Sequence, residues 1–242
     1  MTQRRPSPFD YDTNIERWRT GRSIIRYYGT NGGEDVHGDI ARRLAVLGVT
    51  TVLDVGCGDG ELTRWLPADV RWTGMDLSNI QVANAPRPVV QGSATALPFG
   101  DDTFEAAAAI WMLYHLEEPA LALAEIRRVL KPGGWIATCA PSRFDSPELA
   151  HLLPAQPPST FDAEIAPDLV RVFFEDIEID AWDGPYWRLP DHEAVARALI
   201  GGGVPAEEAA GLAAGVQTPL TVTKRGAIVY GRKPLHSGDT RR

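Results

Sequence analysis

Between residues 48 and 142 the chain switches repeatedly between two hydrophobic periods. Thr50 to Val55 is an apolar run rich in β-branched residues that stops at three glycines on alternate positions. Glu61 to Leu66 then places Leu62, Trp65 and Leu66 among helix formers, so the stretch predicts strand, tight turn and helix. The same alternation gives strand 51–55, helix 60–66, strand 71–75, a short helix at 79–84, strands 89–92 and 106–111, helix 118–130 and strand 134–140. Upstream, Val36, Ile40, Leu44 and Leu47 fall at helical spacing and predict a helix from Asp35 that closes at Gly48. Before it, Ile15, Trp18, Ile24, Ile25 and Tyr28 suit one or two short helices. Downstream, six prolines between 141 and 168 predict irregular chain with one helical turn at 147–153. Helix 168–174, strand 176–182, helix 191–200 capped by Asp191, an alanine-rich helix 205–216 and a last strand at 227–232 complete the pattern.

Alternating strands and helices imply an α/β fold, a parallel sheet covered by helices on both faces through right-handed crossovers. In such sheets ligands bind beyond the carboxyl ends of the strands. Gly56, Gly58 and Gly60 stand at one of those ends, where a ligand that touches the backbone leaves no room for β-carbons. The helix start behind them offers free N–H groups to a carboxylate or phosphate. Their spacing, G-x-G-x-G, lacks the extra residue of the dinucleotide fingerprint. Taken alone it is equally the mark of a tight strand-to-helix turn. Asp76, closing the second predicted strand, stands where an acid can accept hydrogen bonds from both hydroxyls of a ribose.

Composition narrows the classes. A chain of 242 residues, 44% hydrophobic and 23% charged, suits one α/β domain with additions. No apolar run approaches the roughly 18–20 residues of a membrane span, and residues 2–8 lack the apolar core of a signal peptide. The net charge of −8 argues against nucleic-acid binding, which depends on lysine and arginine neutralising phosphates. Arg17, Arg19, Arg22 and Arg26 are read as a solvated helix face. Cys57 and Cys139 belong to different strand ends and form no disulfide framework, which places the chain in the cytoplasm. His151, His192, Asp101 and Asp102 are scattered, so no metal site is expected.

Five motifs in order carry a resemblance: the glycine turn, Asp76, Leu97-Pro98-Phe99 with Asp101-Asp102, the strand to Trp111, and Leu130-Lys131-Pro132-Gly133-Gly134. Over roughly residues 45–142 the chain resembles the class I S-adenosylmethionine (SAM)-dependent methyltransferases, in the small-molecule branch of the ubiquinone and menaquinone enzymes. The resemblance implies a Rossmann-like, seven-stranded, mostly parallel sheet whose last strand runs antiparallel beside the fifth. It also implies an N-terminal helical cap and a helical insertion before that strand. On this basis residues 1–242 form a single methyltransferase domain: cap 1–47, SAM-binding core 48–142, substrate-side lid and last strands 143–233, tail 234–242. The cofactor is SAM and the product S-adenosyl-L-homocysteine.

The resemblance also distributes roles. Asp54 steadies the glycine turn, directly or through the ammonium group of SAM. Gly56, Cys57, Gly58 and Gly60 let methionine and ribose approach the backbone, Cys57 being inert for want of an adjacent cation. Asp76 takes the ribose diol and Leu77 packs on adenine. Relatives place an aspartate on the adenine amino group where this chain has Ser93 followed by Ala94, a contact without charge assistance. Ile110 and Trp111 end the fourth strand, where carbonyls receive the ammonium group. Tyr114 and His115 follow and are the candidate catalytic pair, although His115 equally suits a packing role against the helix from Glu118. The aromatics Tyr11, Trp18, Tyr27, Tyr28, Trp111, Tyr114, Tyr186 and Trp187 are candidates to wall an acceptor pocket. The expected reaction is in-line methyl transfer to an oxygen or nitrogen of a small molecule. The alternatives are an RNA-modifying methyltransferase and a SAM-binding protein without transfer.

Overall fold

The computed structural model describes residues 36–155 and 157–235, together with Thr20 and Gly29. Seven strands form one sheet: β1 (Thr51–Val55), β2 (Arg71–Asp76), β3 (Val89–Gln91), β4 (Phe104–Ile110), β5 (Leu130–Pro141), β6 (Glu175–Leu189) and β7 (Leu220–Arg232). Their order is β3-β2-β1-β4-β5-β7-β6. The first five run parallel to their neighbours and β7 is antiparallel to β5. The fold is therefore the mostly parallel, Rossmann-like α/β sheet. The order reverses between β1 and β4, and Asp54 pairs with Gly74 on one side and Ala108 on the other. That register aligns the carboxyl ends at the switch point, where such sheets bind ligands.

Among the described residues from 36 onward the α-helices are α1 (Val36–Val46), α2 (Asn79–Asn84), α3 (Pro119–Val129), α4 (Ala166–Arg171), α5 (His192–Gly201) and α6 (Ala206–Ala213). β4 is buried on both faces, and its run Ala106 to Ala109 has no solvent exposure. Four alanines leave room for bulkier neighbours such as Ile126, Val129 and Ile136, which the same core buries. α1 turns Ile40, Ala41 and Leu44 inward.

By their internal contacts the described residues from 36 onward divide into two compact units, 36–143, 159–181 and 226–235 in one and 144–155, 157–158 and 182–225 in the other. β6 and β7 run through the boundaries. The second unit has its own apolar cluster, including Leu149, Leu189, Val195, Leu199 and Val222. Asp191 caps α5 by accepting from the Ala194 N–H at 2.9 Å. Among the described residues no helix is long and apolar enough to cross a membrane.

Several boundaries differ from the sequence expectation. In place of helix 60–66 there is one 3-10 turn, Glu61–Arg64. Gly60 supplies no side-chain cap, and a proline at 67 disfavours the helical conformation for the residue before it. β5 starts at Leu130, directly behind α3, and takes the Lys-Pro-Gly-Gly segment into the strand with a register shift opposite Phe104 and Ala106. α4 begins at Ala166 and ends at Arg171, not at 168 and 174. β6 and β7 reach well beyond the expected 176–182 and 227–232. Gly184-Pro185 suggests a break, but β6 is the edge strand, where a proline forfeits no ladder bond. The helices expected at 11–28 and the aromatics Tyr11, Trp18, Tyr27 and Tyr28 lie outside the described residues, as does the tail from 236.

Candidate functional site

β1 ends at Val55 and the chain turns through Gly56, Gly58 and Gly60 at φ of 69°, 55° and 79°. These left-handed values favour glycine strongly over residues with a β-carbon. The turn is sewn to β2 by its backbone: the N–H groups of Gly56 and Cys57 both donate to the Met75 carbonyl, at 2.7 and 3.0 Å. Asp76 adds the side-chain stitch. One carboxylate oxygen accepts from the Gly58 N–H at 2.8 Å and the other from the Ser78 N–H at 2.9 Å. A carboxylate has about four acceptor directions, so both oxygens keep capacity for hydroxyl donors.

A β-carbon built at each glycine separates packing from access. At Gly56 it meets Met112 Cβ at 2.8 Å and at Gly60 it meets Pro86 Cδ at 2.5 Å. At Gly58 it meets nothing within 4 Å among the described residues. Among the described residues the middle of the turn thus faces open space beside the Asp76 carboxylate, a combination of bare backbone and acceptor. Leu77, next to Asp76, is an apolar side chain that is 53% exposed.

Asp54 lies 3% exposed. Its carboxylate does not hold the glycine amides; it accepts from the Trp72 indole N–H at 3.1 Å. Burial pushes its carboxyl up to about 6, with the Trp72 hydrogen bond and His37 opposing and Asp76 reinforcing. The Cys57 thiol is pushed well above its ordinary value by burial and by the Asp54 and Asp76 carboxylates, so it stays protonated at neutral pH.

The other expected positions differ in how open they are. Ser93 Oγ is engaged locally, 2.9 Å from Thr95 Oγ1 and 3.3 Å from the Thr95 N–H. Ala94 is buried in the core, 6% exposed. β4 ends at Ile110, one residue earlier than expected, and Trp111 leaves the strand at φ 56° with its N–H on the Cys139 carbonyl. A 3-10 turn, Leu113–His115, follows and sets the Tyr114 and His115 rings 4.4 Å apart. Thr160 latches this turn from outside, its hydroxyl donating to the Leu116 carbonyl at 2.7 Å.

Trp72, His37, Met112 and Thr160 escaped the sequence reading. For Trp72 a signal existed: the period of two in a strand puts Trp72, Gly74 and Asp76 on one face. The others are brought in by long-range packing.

Residues 53–138 match the family model described as "Methyltransferase domain". The chain is 34% identical over 112 residues to the "O-methyltransferase rstn1" of Aspergillus nomiae, covering 41% of this chain and 50% of that protein. It is 32% identical over 164 residues to a demethylmenaquinone methyltransferase of Mycolicibacterium paratuberculosis, covering 63% and 66%. Among solved structures, the [4+2]-cyclase SpnF is 25% identical with a TM-score of 0.61, covering 93% of this chain and 94% of that one. The chain spans about half the length of the first curated relatives it matches.

Proposed function

We propose that this chain, which belongs to the class I SAM-dependent methyltransferases, moves a methyl group from SAM to an oxygen or nitrogen of a small molecule and releases S-adenosyl-L-homocysteine. The observation that carries this reading is the open middle of the glycine turn, with Gly58 bare and Asp76 beside it. SAM supplies a methyl group on a sulfonium, whose departure as a neutral thioether needs no acid. Alignment is therefore the main demand on the protein.

In this reading Asp76 accepts from the ribose hydroxyls, Leu77 lies against the adenine, and the Ser93-Ala94 segment, Ile110 and Trp111 border the cofactor. Asp54 presents its carboxylate toward the ammonium group. His115, with Tyr114 against its ring, orients the acceptor and takes its proton where one must leave, as imidazole suits near neutral pH. The small-molecule acceptor is supported by the likeness to O- and quinone methyltransferases and by the charge of −8. That acidity disfavours RNA, and a cytoplasmic setting fits the same reading.

A second reading has one observation in its favour, the likeness to a [4+2]-cyclase over nearly the whole chain. Both readings expect a bound cofactor, and only methyl transfer consumes it. The deciding experiment measures S-adenosyl-L-homocysteine release from SAM across phenolic, carboxylic and amine acceptors. Release with one class is the expected result, and His115→Ala then lowers turnover about 10²–10⁴-fold with SAM affinity kept. Ring closure of a polyene with no product released from SAM would favour the cyclase reading. Wild-type turnover in His115→Ala would remove His115 from the site.

A further inference from the structure

We propose that Trp72 is a positioning residue for cofactor binding: its indole N–H holds the Asp54 carboxylate beneath the glycine turn, and its ring fills the space that Gly74 leaves open in β2. The inference rests on the cofactor reading above and deepens it. It begins with a buried carboxylate that has one hydrogen-bond donor among the described residues, Trp72 Nε1 at 3.1 Å. An indole nitrogen only donates, so it fixes one oxygen of Asp54 and takes up no other group.

The ring explains why the donor is a tryptophan. A β-carbon at Gly74 would stand 2.4 Å from Trp72 Cη2 and 2.6 Å from Cζ2, so the indole lies across the bare backbone of Gly74. Gly74 pairs with Asp54, and that path carries the side chain from β2 to β1. The same Cη2 comes 3.5 Å from a β-carbon built at Gly60, and Trp72 as a whole is 7% exposed. One side chain thus touches both the acid of β1 and the last glycine of the turn.

The groups facing Asp54 are Trp72 and Asp76 from β2, His37 from α1 and Cys57 from the turn. A cation bound beside Asp54 favours the ionised form, so affinity for the cofactor's ammonium group rises with pH through the Asp54 titration, near 6. The Trp72 N–H favours the same ionised form. Without it the titration moves up and the rising limb of binding moves with it.

The test has two readouts apart from turnover. In 1H–15N spectra of the apo-protein, the indole signal that vanishes in Trp72→Phe is followed from pH 5 to 8. It is expected to titrate with a midpoint near 6 in the wild type and to stay flat in Asp54→Asn. Calorimetry then measures S-adenosyl-L-homocysteine binding over the same range. Trp72→Phe keeps a ring and loses the donor, and its limb is expected roughly one pH unit higher. That gives about fivefold weaker binding at pH 6 and a change under about twofold at pH 8. His37→Gln should retain a limb, which assigns it to the carboxylate. An indole that does not titrate, or a Trp72→Phe limb at the wild-type pH with only the melting temperature lowered, overturns the proposal and leaves the cofactor reading standing. A wild-type protein that binds no S-adenosyl-L-homocysteine at any pH brings down the cofactor reading, and this inference with it.

Discussion

The glycine turn after β1 and the chain from Trp182 to Arg225 satisfy their polar groups in opposite ways. In the turn, amides of Gly56 and Cys57 go to a carbonyl of β2, and Asp76, which takes the Gly58 N–H, keeps acceptor capacity. In the second unit side chains pair with one another. One oxygen of Asp145 takes the Arg225 N–H at 2.7 Å and the other takes Ser146 Oγ and the Lys224 ammonium. Lys224 also lies 4.0 Å above the Trp187 ring. Glu148 accepts from both the N–H and the hydroxyl of Thr223, at 3.0 and 2.6 Å. A site made of backbone leaves its polar groups turned toward a ligand. A network of paired side chains has directed them at itself, and its work is to hold strands and loops in place.

The sharpest way to break this contrast is to give the turn a side chain. Gly60→Ala combines the strain of φ 79° with a 2.5 Å approach to Pro86 Cδ. Left-handed strain of about 1–2 kcal/mol and overpacking of similar size together predict a loss of about 2–4 kcal/mol in urea unfolding. Pro86→Ala in the same chain should recover the overpacking share and leave the strain. A loss below about 1 kcal/mol would mean that the turn relaxes freely and is no preformed site.

Asp54 gives the next largest effect, with the opposite sign. Its folded pKa of about 6 lies above the ordinary 3.8. The group therefore adds stability that is complete below pH 3.8 and is lost as pH rises through 6. At about 1.4 kcal/mol per pH unit, the wild type loses about 2–3 kcal/mol from this group between pH 4 and 7. Asp54→Asn should lose none of it and be the more stable protein at pH 7–8, while binding the cofactor poorly. Parallel stability curves for the two proteins from pH 4 to 8 would show that burial of this charge has no cost.

The same contrast explains what the sequence made visible. Glycines on alternate positions and an acid closing the next strand are local signals, and the turn and the place of Asp76 at the end of β2 were legible from residues 51–76. Asp145 and Lys224 lie 79 residues apart, and nothing in either neighbourhood marks the pair. The lengths of β6 and β7 were hidden for a related reason: strand 183–189 contains Gly184-Pro185, and the edge position that excuses the proline is a property of the sheet. Trp72 lay between these extremes, on a strand whose period was legible but whose ring reaches a neighbour only in three dimensions.

The self-directed network predicts a middle-sized effect on stability. Asp145→Ala removes the acceptor of an ammonium, a hydroxyl and an amide from a site where the Asp145 and Lys224 side chains are 18% and 20% exposed. Leaving that set unmatched should cost about 2–3 kcal/mol, less than a fully buried pair. Asp145→Asn should recover part of the loss, since an amide oxygen still accepts from the Arg225 N–H. A cost below about 0.5 kcal/mol would make the network ornamental, as most exposed ion pairs are.

The smallest effect on folding is expected at Gly58, and it separates access from packing. The residue has φ 55° and a β-carbon there meets nothing within 4 Å among the described residues, whereas the same atom at Gly56 or Gly60 runs into Met112 or Pro86. Gly58→Ala therefore carries the left-handed strain alone, about 1–2 kcal/mol. Its N–H remains free to donate to Asp76, so the stitch between turn and β2 survives. The new methyl group stands in the space where the cofactor is expected to approach the backbone, and affinity for S-adenosyl-L-homocysteine should fall about tenfold or more. Gly60→Ala loses fold and affinity together; Gly58→Ala should lose affinity out of proportion to fold. Equal affinity in Gly58→Ala and wild type, with the expected modest loss of stability, would show that the ligand does not lie against this turn.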